Sequence, residues 1–168
     1  TLEHLETVRG RMQFAAAREN GASVYVDYAH TPEALKTCIL NLREQFKNKK
    51  ILLLFGCGGN RDQEKRPLMG AIAAQLSSKV LFTSDNPRNE DPDTIMEQMC
   101  EGVDPVDFKK TMSIPQRKEA IKVAYQLSQP GDVVLIAGKG HENYQEVKGE
   151  RHPFDDYKIA QEIFSKTP

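Results

Sequence analysis

The chain has 168 residues, enough for one domain with a buried core but too few for two ordinary domains. Its net charge of −1, from 23 basic and 24 acidic residues, lacks the basic field that nucleic-acid binding needs, and no Trp is present to stack on bases. No apolar stretch approaches the length of a membrane span. We therefore expect neither a nucleic-acid partner nor a membrane contact.

The cysteines and the N-terminus indicate the cellular setting. Cys38, Cys57 and Cys100 are odd in number, lack metal-ligand spacing and are typical of a reducing cytosol. We expect a cytoplasmic location and no metal site in this chain. The sequence begins at Thr1 without an initiator Met or a signal-peptide profile, so we expect a fragment of a longer protein, cut near a domain boundary.

The N-terminal third predicts a β-hairpin followed by a helix. The apolar segments Phe14–Ala16 and Val24–Tyr28 flank Asn20-Gly21, two residues that tolerate positive φ. Thr31-Pro32 is typical of an N-cap and a first helical position. Apolar residues at helical spacing continue this helix to about Asn48.

The middle of the chain alternates between strands and helices. Ile51–Phe55 is a continuous apolar run, as expected of a central strand covered on both faces. A helix follows Pro67, Val80–Thr83 is the next strand, and Asp91-Pro92 opens another helix. The remaining elements are a weaker strand at Lys109–Ile114, a helix from Pro115, a buried strand at Val133–Ala137, a strand at Tyr144–Val147 before a turn at Lys148-Gly149, and a helix from about Asp155 to Ser165.

Strands separated by single helices predict right-handed crossovers and a mostly parallel sheet. We therefore predict an α/β fold, a three-layer Rossmann-like domain with an N-terminal hairpin. In such a sheet, ligands bind beyond the carboxyl ends of the strands. Polar or glycine-rich segments follow four of the predicted strands: Asp27-Tyr28-Ala29-His30, Gly56–Arg61, Ser84–Arg88 and Gly138–Glu142. The sequence therefore predicts a ligand site at this edge.

The charges of these segments suggest the ligand. The planar forks of Arg61 and Arg88 match carboxylate or phosphate groups, and Asp85 and Glu142 could balance ammonium groups. This set of two arginines and two acids predicts a doubly zwitterionic small molecule. The alternative is that Ser84–Arg88 is an ordinary solvated loop, since turns use Asp, Asn and Pro in any case.

Other residues at the same edge each allow two interpretations. The glycines of Gly56–Gly59 form a flexible turn or permit close approach of a ligand, and Lys139 is a solvated charge or holds an anion. Asp27 contacts ribose hydroxyls or caps a helix. His30, just ahead of a helix, caps it or packs as a neutral imidazole on a nucleotide.

Five motifs, in order and covering nearly the whole chain, resemble the C-terminal domain of the Mur ligases, ATP-dependent amide-forming enzymes of peptidoglycan synthesis. The resemblance is greatest to the members that add meso-2,6-diaminopimelate. The motifs are Asp27-Tyr28-Ala29-His30-Thr31-Pro32, Phe55-Gly56-Cys57-Gly58-Gly59, Lys65-Arg66-Pro67-Leu68-Met69-Gly70, Asp85-Asn86-Pro87-Arg88 and Ala137-Gly138-Lys139-Gly140-His141-Glu142.

The resemblance implies a role for each candidate site residue. It implies that Asp85-Asn86-Pro87-Arg88 recognises meso-diaminopimelate, with further contacts from Arg61, Gly138 and Glu142. Nucleotide contacts fall on Arg11, Asp27, Tyr28 and His30. Arg11 is also the implied catalytic residue, because it matches a position near the terminal phosphate of ATP.

The implied reaction joins diaminopimelate to UDP-MurNAc-L-Ala-D-Glu. ATP phosphorylates the D-glutamyl carboxylate, and an amine of diaminopimelate attacks the acyl phosphate. The family's phosphate-binding loop and Mg²⁺ ligands belong to a central domain, and no G-x-x-x-x-G-K-[ST] occurs here. We expect residues 1–168 to be the C-terminal domain alone, without the N-terminal and central ATP-binding domains, monomeric, inactive by itself, and a partner of its own central domain.

Three alternatives remain at this point. The domain could belong to a lysine-adding or folylpolyglutamate-type ligase. It could instead be a non-catalytic module that binds an amino acid or nucleotide. A domain without any ligand would place Arg61, Arg88 and Glu142 far apart or pair them with unrelated surface groups.

Overall fold

A six-stranded sheet forms the centre of the protein in a computed structural model that describes residues 10–165. Its strands are β1 (Gln13–Ala17), β2 (Ser23–Asp27), β3 (Ile51–Phe55), β4 (Lys79–Phe82), β5 (Thr111–Ser113) and β6 (Val133–Ala137). Their spatial order is β1-β2-β6-β3-β4-β5, and only β1 pairs antiparallel within this sheet. The predicted α/β fold with a mostly parallel sheet is confirmed.

Five helices cover the two faces of the sheet and make three layers. They are α1 (Pro32–Gln45), α2 (Lys65–Leu76), α3 (Pro92–Cys100), α4 (Arg117–Leu127) and α5 (Asp156–Phe164). Buried residues of α1, α2 and α3 form one hydrophobic core with one side of the sheet. Those of α4 and α5 form a second core on the other side. None of the helices described over residues 10–165 is both long and apolar enough to span a membrane.

Local sequence signals explain the first elements. Gly21 adopts a φ of +94° in the turn between β1 and β2, as the hairpin prediction requires of a glycine. The Thr31 hydroxyl accepts a hydrogen bond from the Ala34 N–H at 3.2 Å, and Pro32 is the first residue of α1. The helix ends at Gln45, slightly before the predicted Asn48, which has a left-handed φ of +68° in the turn that follows.

Other elements also differ from the prediction, and α4 begins at Arg117 rather than at Pro115. Helix α2 begins at Lys65 rather than after Pro67. Pro67 is tolerated in the first turn of the helix, because the N–H group that proline lacks would have no helical partner there. The predicted strand Lys109–Ile114 shrinks to β5, since Pro105–Lys110 is a 3-10 helix capped by the Asp104 carboxylate. A separate hairpin joins β7 (Tyr144–Val147) to β8 (Glu150–Pro153), and the exposed, polar β8 was not predicted.

The register of the sheet brings the four polar segments to one edge. The last residues of β2, β3 and β6 are paired neighbours, with Asp27 and Phe55 each opposite Ala137. Phe55 also pairs with Phe82, the last residue of β4. The chain leaves all four strands at the same level, as parallel topology predicts.

Candidate functional site

A cavity of about 340 Å³ lies where these strands end. Tyr28 and His30 line it. So do six of the seven predicted substrate-binding residues, namely Arg61, Asp85, Asn86, Arg88, Gly138 and Glu142. Pro87 does not line the cavity. It is buried, and its carbonyl lies against Gly59. The structure therefore does not separate Arg61, Arg88 and Glu142, as a domain without a ligand site would require.

Arg61 and Arg88 approach each other across Gly58. A Cβ atom added at Gly58 would lie 2.9 Å from Arg88 Nη1 and 3.5 Å from Arg61 Cγ. Arg61 is exposed, and its Nη1 donates to the Asn60 carbonyl at 3.0 Å. Two arginine side chains thus lie beside Gly58 at the cavity wall, and a guanidinium is suited to bind carboxylate or phosphate.

Arg88 is held by the segments around it. Its Nη1 donates to the Gly59 carbonyl at 2.9 Å, and its Nε donates to Glu146 Oε2 at 3.2 Å. Its backbone has a left-handed φ of +52°, uncommon for a residue with a side chain. The constraint fixes the point at which the side chain enters the cavity wall.

Lys139 is a buried cation beneath the cavity, so neither predicted interpretation describes it. Its side chain is 0% exposed, and Nζ donates to Asn86 Oδ1 at 2.8 Å and to the Tyr144 carbonyl at 2.9 Å. Nζ also lies 2.9 Å from Asp85 Oδ1 and 3.7 Å from Glu142 Oε1. Lys139 therefore orders three residues that were predicted to contact the ligand.

This lysine changes the charge balance expected of the site. One oxygen of Asp85 already faces a protein ammonium group, so Glu142 is the better placed acid for a ligand ammonium. Burial, and then the carboxylates of Glu142 and Asp85, raise the pKa of the Tyr28 hydroxyl above its usual value. Tyr28 thus shares the cavity wall with two carboxylates.

The glycines of Gly56–Gly59 permit close packing between protein segments. A Cβ atom at Gly56 would lie 2.3 Å from the Thr83 carbonyl oxygen, and one at Gly59 would overlap the Pro87 carbonyl oxygen at 1.8 Å. The Gly59 N–H donates to the Asn86 carbonyl at 2.8 Å. The prediction was the close approach of a ligand, whereas the close contacts seen in the structure are with the Thr83–Arg88 segment, which packs against this turn.

Arg66 is a buried residue that sequence reasoning did not assign to the site. Its guanidinium donates to both carboxylate oxygens of Glu90 at 3.0 and 2.8 Å, and to the Gly58 carbonyl at 2.8 Å. The Asn60 N–H donates to the same carboxylate at 2.6 Å. These bonds, led by those from Arg66, lower the pKa of Glu90. The pair clamps the Gly58–Asn60 turn to the segment after Arg88.

Arg117 forms a second buried clamp, also missed from sequence. Its guanidinium donates to both oxygens of Asp156 at 2.8 and 2.7 Å, and both side chains are 0% exposed. It also donates to the carbonyls of Ser84 at 3.1 Å and Ala137 at 3.2 Å. Burial acts to lower the pKa of Arg117, but the carboxylate of Asp156, together with those of Asp85 and Glu142, gives a net upward shift. Arg117 therefore joins the ends of β4 and β6 below the cavity.

The four predicted nucleotide-binding residues line a second, more open cavity of about 900 Å³: Arg11, Asp27, Tyr28 and His30. Tyr28 and His30 line both cavities, and their ring centroids lie 4.5 Å apart. Asp27 Oδ2 accepts from the Met12 N–H at 2.7 Å, and Oδ1 accepts from the Ala29 N–H at 2.8 Å. Asp27 thus binds the backbone at Met12 and Ala29, and the helix cap of α1 is Thr31 instead.

The thiols show no sign of a nucleophile or a metal site. Cys57 lines the smaller cavity, but burial raises its pKa to about 12, and burial also raises the pKa of Cys38. All three cysteines are free thiols, as expected. Within residues 10–165 no group of three or more His, Cys, Asp or Glu side chains could hold a metal ion.

Comparison with known families identifies the class of protein. Residues 10–140 match the model of the Mur ligase, glutamate ligase domain. The chain therefore belongs to the Mur ligase family, and its α/β fold is that of the family's C-terminal domain.

Two curated relatives within the family carry the same name. The UDP-N-acetylmuramoyl-L-alanyl-D-glutamate–2,6-diaminopimelate ligase of Cytophaga hutchinsonii is 51% identical over 164 residues, covering 96% of this chain and 33% of the relative. The ligase of the same name from Bacteroides thetaiotaomicron is 48% identical over 165 residues, covering 98% of this chain and 34% of the relative. The chain thus spans about a third of the length of these curated relatives.

Solved structures of other proteins share the fold of this chain. A structure of a ligase with the same name superposes with a TM-score of 0.85 and 44% identity, covering 96% of this chain and 32% of the other. A Mycobacterium tuberculosis folylpolyglutamate synthase, complexed with ADP and AMPPCP, has a TM-score of 0.64 at 18% identity over 96% of this chain and 33% of the other, and shares the fold alone.

Proposed function

We propose that this chain is the amino-acid-binding domain of an ATP-dependent ligase that adds meso-2,6-diaminopimelate to UDP-MurNAc-L-Ala-D-Glu in peptidoglycan synthesis. The cavity in which Arg61 and Arg88 approach each other across Gly58, with Glu142 among the lining residues, carries the proposal. The printed names of relatives about half identical to this chain support the choice of amino acid.

In this proposal the cavity binds the end of diaminopimelate remote from the reacting amine. Arg88 and Arg61 bind carboxylate, and Glu142 faces an ammonium group. Asp85 and Asn86 shape the wall, and Asn86 Nδ2 donates to Glu142 at 3.4 Å. L-Lysine lacks the second carboxylate, so it would leave Arg88 without its ligand partner.

We further propose that the larger cavity contributes to the ATP site. The rings of Tyr28 and His30 offer a surface for a base, and Asp27 keeps lone pairs for ribose hydroxyls although both of its oxygens accept backbone N–H groups. Arg11 is exposed at the rim of the same cavity, where it would stabilise phosphoryl charge. Bound ATP supplies the phosphoryl group that activates the D-glutamyl carboxylate.

The remaining parts of the reaction lie outside this chain in our proposal. The described residues offer no cluster suited to Mg²⁺, so we assign that ion and the phosphate-binding loop to a central domain. Residues 1–168 alone would then be catalytically inactive. The complete protein would be a monomer in which this domain contacts its own central and N-terminal domains. The three free thiols support a cytoplasmic location.

The test compares meso-diaminopimelate with L-lysine as substrates of the complete ligase that contains this domain. We expect a preference for meso-diaminopimelate of roughly 10⁴-fold in kcat/KM, as for other sites built around a polar substrate group. Arg88→Ala should abolish most of that preference by lowering kcat/KM for meso-diaminopimelate. Arg43→Ala, which removes an exposed arginine of α1, is the matched control and should preserve it.

Two outcomes would overturn the proposal. Equal use of both amino acids by the wild-type ligase would favour a lysine-adding or otherwise unselective relative. A complete protein without ATP-dependent ligation of any amino acid would favour the non-catalytic binding module.

A further inference from the structure

Glu146 lies on β7 beside Arg88, outside the cavity lining and outside the predicted site. The two residues are joined through their backbones, because the Arg88 N–H donates to the Glu146 carbonyl at 3.0 Å and the Lys148 N–H donates to the Arg88 carbonyl at 2.8 Å. Arg88 also forms a parallel bridge with Val147. Arg88 therefore pairs with β7 through a single isolated β-bridge.

The side chains of Arg88 and Glu146 meet at one edge of the guanidinium. A guanidinium has five N–H groups, and Arg88 uses Nε–H for Glu146 Oε2 at 3.2 Å and one Nη1–H for the Gly59 carbonyl at 2.9 Å. Among the described residues, no hydrogen-bond partner occupies the other Nη1–H or the two Nη2–H groups. The Nη1–Nη2 end presents one N–H from each of these two nitrogens, and it can bind a carboxylate through two parallel hydrogen bonds.

We propose that Glu146 is a positioning residue that binds the Nε edge of Arg88 and thereby reserves its Nη1–Nη2 end for a ligand carboxylate. This inference rests on the proposed function, since it assumes that Arg88 binds a carboxylate of the amino-acid substrate.

The backbone of Glu146 is tied to the buried part of the site. Its N–H donates to Asn86 Oδ1 at 2.9 Å, the same oxygen that accepts from Lys139 Nζ at 2.8 Å. Lys139 Nζ also donates to the carbonyl of Tyr144, the first residue of β7. The hairpin that carries Glu146 is thus attached to the buried Lys139 directly at Tyr144 and through Asn86 at Glu146, which gives the Glu146 backbone a defined position beside Arg88.

Glu146 could act on a bound carboxylate in two opposite ways. As a counter-charge it would compete with the ligand, so that its removal would strengthen binding. As a positioning group it would restrict the many rotamers of Arg88, so that its removal would weaken binding. The side chains of Arg88 and Glu146 are 17% and 26% exposed, and solvent screens the competing charge at such partly exposed sites. We therefore expect the positioning effect to dominate.

The experiment measures KM for meso-diaminopimelate and for ATP in the complete ligase carrying Glu146→Ala or Glu146→Gln. Glu146→Ala should raise KM for meso-diaminopimelate about tenfold, the size expected for one hydrogen bond to a charged group, and leave KM for ATP within about twofold. Glu146→Gln keeps an oxygen that accepts from Nε–H, so its KM should stay within about threefold of wild type.

Two controls separate positioning from loss of structure. Glu150→Ala removes an acid from β8 of the same hairpin, where the Glu150 side chain is 78% exposed, and should leave both KM values unchanged. In an Arg88→Ala background, Glu146→Ala should have no further effect on KM for meso-diaminopimelate, because the residue it positions is gone.

Several results would overturn the inference. An unchanged or lower KM for meso-diaminopimelate in Glu146→Ala would show that Glu146 does not position Arg88. Equal effects of Glu146→Ala and Glu146→Gln would assign its role to charge. If the wild-type ligase uses L-lysine as well as meso-diaminopimelate, the proposed function fails and this inference with it; if the wild type is selective and Glu146→Ala is silent, only the inference fails.

Discussion

Two pairs of arginines surround the same sheet edge, and they differ in how much of each guanidinium the protein itself occupies. Arg66 and Arg117 lie in the first turns of α2 and α4, are almost fully buried, and each bind a carboxylate through two hydrogen bonds. Arg61 and Arg88 lie in the loops above them and line the cavity. The lower pair fixes the positions of the loops, and the upper pair has donors left for a ligand.

The difference follows from burial. A buried guanidinium without a carboxylate is costly, and the positive end of the helix dipole adds to that cost in the first turn of a helix. Glu90 and Asp156 therefore lie where Arg66 and Arg117 require them. A loop arginine in contact with solvent carries no such cost, so Arg61 retains N–H groups that bind water or a ligand. We therefore expect substitutions that disrupt the lower pair to reduce the stability of the fold. Substitutions in the upper pair should weaken ligand binding.

The largest effect is expected below the cavity. Asp156→Ala would leave Arg117 charged and buried without its partner, and should lower the free energy of unfolding of this chain by about 3–5 kcal/mol, measured by urea denaturation. Glu119→Ala on the exposed face of α4, where Glu119 pairs with Lys122 at 3.3 Å, should cost less than about 0.5 kcal/mol. A loss for Asp156→Ala as small as that of Glu119→Ala would contradict the structural role of the lower pair.

Sequence signals predicted the scaffold that holds these arginines. The Thr31-Pro32 start of α1, the Asn20-Gly21 turn and the apolar run of β3 depend on local chemistry, and the structure confirms them. Parallel topology then predicted that four strand exits meet. The 3-10 helix at Pro105–Lys110 and strand β8 were missed, because neither presents an apolar periodicity.

The pairing of charges could not be predicted from sequence. Lys139 lies 53 residues from Asn86 in the chain, and Arg117 lies 39 residues from Asp156, so no local pattern relates them. One signal was present, however. Arg117 falls three and four residues before the buried Ala120 and Ile121, an inward position of α4 where an arginine needs a buried acid. Arg66 stands in the same relation to Met69 and Gly70 of α2.

An intermediate effect with a defined pH dependence is expected at Glu90. Its pKa lies below the ordinary value of 4.5, chiefly because Arg66 donates hydrogen bonds to it, so the ionised form is bound more strongly in the folded state. The stabilisation is present above the unfolded-state pKa and is lost as the pH falls through about 4.5 toward the folded-state value. Glu90→Gln should therefore lower the free energy of unfolding by about 1.5–3 kcal/mol at pH 7, and the difference from wild type should shrink on acidification.

Urea denaturation at pH 7 and at about pH 3.5 measures this difference. Glu97→Gln, at an exposed position of α3, reports the effect of removing a surface carboxylate from a neighbouring element. A Glu90→Gln difference that grows as the pH falls would have the wrong sign for the clamp between Arg66 and Glu90.

The smallest effect is expected at Arg61, and it should appear in binding alone. Arg61→Ala removes an exposed side chain whose hydrogen bond within the described residues is to the adjacent Asn60 carbonyl, so the free energy of unfolding should change by less than about 0.5 kcal/mol. In the complete ligase, KM for meso-diaminopimelate should rise about tenfold, the loss expected for a charge-assisted contact. Arg61→Lys tests the contact further, because lysine keeps the charge but cannot present two parallel donors. If Arg61→Lys restores the wild-type KM, Arg61 supplies only charge; if it resembles Arg61→Ala, the planar fork itself is what the ligand requires of this loop.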